Sequence, residues 1–110
     1  MDIADWRERI DIIDRELMEL LNQRAHAALE IGRLKRVAGL PIYEPQRESV
    51  IFENVSRLNV GPLPTSELQR IFERIIDVMR SVQRFEIESE RKQAIATSVH
   101  EDTTTRREEK

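Results

Sequence analysis

From Ile3 to Ala38, apolar side chains return at alternating steps of three and four: Ile3, Trp6, Ile10, Ile13, Leu17 and Leu20, then Ala27, Ile31, Leu34 and Ala38. That spacing marks one face of a single helix. Such a helix, about 36 residues long, measures ~54 Å at 1.5 Å per residue. A compact domain of 110 residues is only about 26–28 Å across. The remaining chain is too small to cover the rod, and a sustained heptad is ordinarily covered by a second copy. The expected fold is therefore all-α: three helices per chain, interlocked with those of a partner as an intertwined homodimer. An ordinary coiled-coil dimer explains the stripe equally well, but not the polar residues set into it.

Glycine and proline divide the chain. Asp2 can cap the first helix, which Gly39 and Pro41 stop near Val37. Pro45 fits the first turn of a second helix, from about Glu44 to Leu58. Gly61, Pro62 and Pro64 break the chain again, and Ser66 with Gln69 has capping-box spacing for a third helix. Its stripe is Leu68, Ile71, Phe72, Ile75, Ile76, Met79 and Val82, running on toward Ala96. Residues 1–96 are expected to form the domain. The polar, threonine-rich residues 97–110 lack an apolar face and are expected to be a disordered tail.

Several classes of function are excluded or disfavoured. With no cysteine, the chain has no thiolate metal site or cysteine nucleophile. His26 and His100 make no metal spacing and read as solvated. A net charge of -3 with interspersed bases argues against nucleic acid as the main partner. No apolar run approaches the ~20 residues of a membrane span, and a chain without a signal peptide is expected. A cytoplasmic protein is expected.

The polar intrusions carry the chemistry. Arg24 fills the slot between Leu20 and Ala27 where the stripe calls for an apolar residue. A guanidinium on a covered helix face is unfavourable unless an anion meets it. Lys35 follows eleven residues later, within ~20° of Arg24 around the axis and ~16 Å along it. Two long cationic side chains so placed can converge on one small anion, although Lys35 alone reads as a snorkelling surface residue. Gln83 continues the stripe of Phe72, Ile76 and Met79 and needs partners if buried. Arg47 and Glu48 lie in the first turn of the second helix, where an acid also suits the helix dipole. Arg7 lies ~25 Å along the helix from Arg24 and cannot reach it within one chain, but an antiparallel partner could bring it there. The set contains no nucleophile, metal cage or acid–base pair. Catalysis by it would act through conformational restriction and electrostatics.

The segments WRERIDIIDRELMELLNQRAHAALEIGRLK, PIYEPQRE and IFERIIDVMRSVQ together resemble the all-helical chorismate mutases of the AroQ class, from about Ile3 to Glu88. The resemblance implies a cofactor-free, intertwined dimer that converts chorismate to prephenate in phenylalanine and tyrosine biosynthesis. It also implies roles for individual residues. Arg24, with Arg7 from the partner subunit, pairs with the two substrate carboxylates. Lys35 and Gln83 donate to the ether oxygen. Glu48 accepts from the C4 hydroxyl, aided by the backbone near Glu44, and Arg47 supports this loop. Glu44 stands where aspartate is frequent. Met79 stands where relatives often carry a small polar residue, and a thioether cannot donate that bond. The rival readings are an isochorismate-pyruvate lyase of the same fold and a non-catalytic dimerisation or regulatory module. Such mutase domains are often fused to other enzymes of aromatic biosynthesis. The 110 residues are expected to hold none of those, leaving a partner enzyme as a further candidate for docking.

Overall fold

The computed structural model describes the backbone of residues 1–108 and the side chains of residues 1–97. It contains three helices, α1 (Ile3–Ala38), α2 (Pro45–Leu58) and α3 (Thr65–Glu108), and no strand among the described residues. Two compact units divide the chain: the first is Met1–Leu40 and the second begins at Pro41.

The first unit is α1 with its caps. The Asp2 carboxylate accepts from the Asp5 backbone N–H and the Asp5 carboxylate from the Asp2 N–H, each at 3.0 Å, a reciprocal box that satisfies two otherwise orphaned donors. At the other end Gly39 takes φ 71°, the left-handed conformation that glycine adopts without Cβ strain. Its N–H and that of Leu40 close the last turn on the Arg36 and Lys35 carbonyls. All of residues 1–20 are exposed, including the stripe from Ile3 to Leu20.

The second unit is a helical hairpin. Pro45 opens α2, where its missing N–H is harmless and its fixed φ is already helical. Gln69 Nε2 donates to Ser56 Oγ at 2.8 Å, and Arg80 faces Glu48, so rising numbers on α3 meet falling numbers on α2. The pair is therefore antiparallel. Asn59 fastens the connection by donating to the Leu63 carbonyl at 2.9 Å and Thr65 Oγ1 at 3.1 Å, while its own oxygen accepts from Gly61 N–H. Among the described residues, Val55, Ile76 and Met79 are the buried apolar residues of this unit.

Two boundaries differ from the sequence expectation. Ser66 does not cap α3: the helix begins at Thr65, the Pro64 carbonyl accepts from Glu67 and Leu68, and Gln69 is spent on Ser56 instead. The other end continues as helix to Glu108, well past the Thr97 boundary. From Thr65 to Glu108 there is no glycine or proline to stop it, and an apolar face is a requirement for packing, not for helical backbone. The side chain of His100 lies outside the described residues.

Candidate active site

On α1, Arg24 and Lys35 are both half-buried, and between them Ala28 and Gly32 are buried. Positions 24, 28, 32 and 35 lie on one side of the helix. A guanidinium and an ammonium thus bracket a stretch of helix with almost no side-chain bulk of its own. The covered face is rotated from the expected one. Leu21, Arg24, Ala25, Ala28, Leu29, Gly32 and Lys35 are covered, whereas Ala27, Ile31, Leu34 and Ala38 of the predicted stripe are exposed. Arg24 is accordingly not an isolated intruder in an apolar seam. It begins a polar-ended face of its own, signalled in the sequence by the small residues at the four-residue spacing 28 and 32. Arg7 is exposed on the uncovered half of α1.

In the hairpin, Glu44 precedes Pro45 as the N-cap of α2 and accepts the Glu48 backbone N–H at 3.1 Å through its carbonyl. Both lie at the open end of the hairpin, with Arg47 exposed between them. The antiparallel register that sets Ser56 beside Gln69 and Glu48 beside Arg80 also sets Glu44 level with the turn containing Gln83. Met79 is 7% exposed and as buried as Ile76, so it belongs to the apolar core of the unit. Gln83 is 8% exposed, and its amide presents both donor and acceptor whatever the pH.

One residue that the sequence reading does not single out, Arg80, stands beside Glu48. Arg80 Nη1 is 3.7 Å from Glu48 Oε2, an ion pair with side chains 25% and 21% exposed, respectively. Arg80 Nη2 donates to Asp77 Oδ1 at 2.5 Å, and the guanidinium carbon lies 5.2 Å from the centroid of the Tyr43 ring. In sequence, Asp77 and Arg80 pass for an ordinary surface i,i+3 pair. Among the described residues no group of three or more His, Cys, Asp or Glu is placed to hold a metal ion. The cations on α1 are suited to bind an anion, and within the hairpin the Glu48 carboxylate and the Gln83 amide are suited to hydrogen-bond a polar ligand.

A family model described as chorismate mutase type II matches residues 6–84. The bifunctional chorismate mutase/prephenate dehydratase of Aquifex aeolicus is 40% identical over 87 residues, covering 76% of this chain and 24% of the relative. The chain thus spans about a quarter of the length of that relative. Among solved structures, the chorismate mutase of Thermus thermophilus (form II) is 32% identical with a TM-score of 0.73, covering 74% of this chain and 93% of the other. The Helicobacter pylori chorismate mutase, solved in complex with prephenate, is 29% identical with a TM-score of 0.73, covering 78% and 93%. An all-helical fold with a cation-rich first helix and a carboxylate-bearing hairpin defines the class. This chain belongs to the type II chorismate mutase family.

Proposed function

We propose that the chain is a chorismate mutase that rearranges chorismate to prephenate without a cofactor, as a cytoplasmic homodimer serving phenylalanine and tyrosine biosynthesis. The observation that carries this reading is the α1 face on which half-buried Arg24 and Lys35 bracket buried Ala28 and Gly32. It offers positive charge at two points on one helix face, where a compact dianion needs it.

The reaction is unimolecular. A C–O bond breaks as a C–C bond forms through a chair, so no proton, electron or co-reactant enters or leaves. Arg24 and Arg7 of the partner subunit bind the two carboxylates and hold the side chain folded over the ring, which removes the conformational part of the barrier. Negative charge grows on the ether oxygen as its bond to the ring lengthens. Lys35 and Gln83 donate to that oxygen, and the ammonium stabilises the transition state more than the ground state. Glu48 accepts from the ring hydroxyl, Glu44 contributes backbone, and Arg47 supports the loop. Met79 supplies an apolar wall in place of a polar contact. The homodimer is supported by α1 itself, which is exposed from Ile3 to Leu20 in a single chain. No helix of the described residues is long and apolar enough to cross a membrane.

The test is loss of chorismate ultraviolet absorbance with purified protein, followed by separation of products. Prephenate is expected from the wild type. Lys35→Ala should lower turnover roughly 10²–10³-fold, the scale of one oxyanion donor, and Arg24→Ala should abolish saturation by substrate. Wild-type turnover in Lys35→Ala overturns the mechanism. Pyruvate released from isochorismate, with chorismate untouched, would make the protein a lyase. Inactivity on both would leave a dimerisation module.

A further inference from the structure

The mechanism assigns no work to Arg80, yet its guanidinium makes three directed contacts. Nη2 is held at 2.5 Å by Asp77, one turn back on α3. Nη1 faces the Glu48 carboxylate at 3.7 Å across the hairpin. The guanidinium carbon lies over the ring of Tyr43, immediately before Glu44, at 5.2 Å from its centroid. Each contact uses a different part of the group, and only a planar fork can make all three at once; an ammonium cannot. We propose that Arg80 is a positioning residue for the reaction. It fixes the Glu48 carboxylate toward the substrate hydroxyl and, through Tyr43, pins the stretch of chain that delivers Glu44.

The geometry fits holding better than neutralising. At 3.7 Å the Arg80–Glu48 contact is an ion pair longer than a hydrogen bond, so the carboxylate retains acceptor capacity for a ligand hydroxyl. The Asp77 anchor sets the guanidinium from its own helix, and Glu48 is thereby referred to rigid α3 instead of to the first turn of α2. Fixing a first-turn side chain from a neighbouring helix gives the placement that orientation-dependent binding needs.

This inference rests on the reading of Glu48 as the acceptor for the substrate hydroxyl. The hydroxyl gains no charge during the rearrangement, so its contact is made about equally in ground and transition states and its loss appears in KM. Arg80→Met, close in length but uncharged, should raise KM about tenfold and change kcat less than about threefold. Arg80→Lys should recover only part of the loss. A role confined to folding would lower kcat by reducing the active fraction and leave KM alone. In a Glu48→Gln background, Arg80→Met should add less than about a twofold further effect, because the two residues act as a unit. If Arg80→Met fails to fold, Arg80→Lys carries the same cycle. An unchanged KM in a folded Arg80 variant, or losses that multiply with those of Glu48→Gln, overturns the proposal. Chorismate turnover that is indifferent to Glu48→Gln, or absent in the wild type, instead removes the reading on which it rests.

Discussion

If a second copy covers α1, truncating the stripe must loosen the dimer by an amount that the structure sets. Ile13 and Leu17 are each 50% exposed in the single chain, so about half of each side chain remains to be buried. Full burial of such a side chain contributes about 1.5–3 kcal/mol, and the uncovered half therefore about 1 kcal/mol. A two-fold interface counts every substitution twice, giving about 2 kcal/mol per position and about 4 kcal/mol for Ile13→Ala with Leu17→Ala. The dimer dissociation constant should rise roughly 10³-fold, since each 1.4 kcal/mol is tenfold. Alanine is the best helix former, so α1 itself should not weaken. Sedimentation velocity across a dilution series measures the constant directly. Val37→Ser, on a side of α1 away from the stripe, is the control and should leave it within about twofold. A wild-type protein that sediments as a monomer at micromolar concentration, or a double variant that associates as tightly as the wild type, refutes the argument.

Two further outcomes follow from individual side chains. Gln83 donates through an amide at every pH, whereas Gln83→Glu can donate only while its carboxyl is protonated. Activity of that variant should therefore rise as pH falls through the carboxyl's titration, and a pH profile parallel to the wild type would rule out the donor role. Gln69→Ala removes the 2.8 Å bond to Ser56 that ties α3 to α2. It should lower stability by about 1 kcal/mol, near 4 °C in Tm, with no added loss when Ser56→Ala is combined. A melting temperature unchanged in both variants would show that the bond contributes nothing.

Much of the fold is legible in the sequence because its signals are local. The Asp2 cap, the Gly39 stop and the entry of α2 at Pro45 each depend on one residue's backbone or side-chain chemistry. The start of α3 is ambiguous in sequence because Gln69 satisfies both a capping-box pattern and a cross-helix bond, and the tertiary partner prevails. The end of α3 is obscured because residues 97–108 lack an apolar face while remaining helical. On α1 the periodicity identifies the element but not the side covered within one chain. The large residues of the stripe point to one side, whereas Ala28 and Gly32 mark the covered one. The candidate residues are legible one at a time as polar groups on apolar faces. Arg80 is not, since its aspartate neighbour disguises it and its link to Tyr43 and Glu48 exists only after the hairpin closes.

These features make assembly and chemistry one problem for this chain. Arg7 lies on the half of α1 whose residues are all exposed, and it is ~25 Å along the same rod from Arg24. A rigid helix cannot fold back to join them, so any site that uses both must draw them from two copies. In the proposed dimer, the stripe that would drive association and the arginine that association would supply occupy the same twenty residues. A substitution such as Leu17→Ala, which alters no candidate ligand residue, should therefore lower specific activity on dilution, and raising the protein concentration should restore it. The same recovery should fail for Arg7→Ala, which leaves the stripe intact and removes the side chain that the partner is proposed to deliver. Recovery of Arg7→Ala at high concentration would mean that Arg7 takes no part in the clamp, and the link between assembly and catalysis would be lost with it.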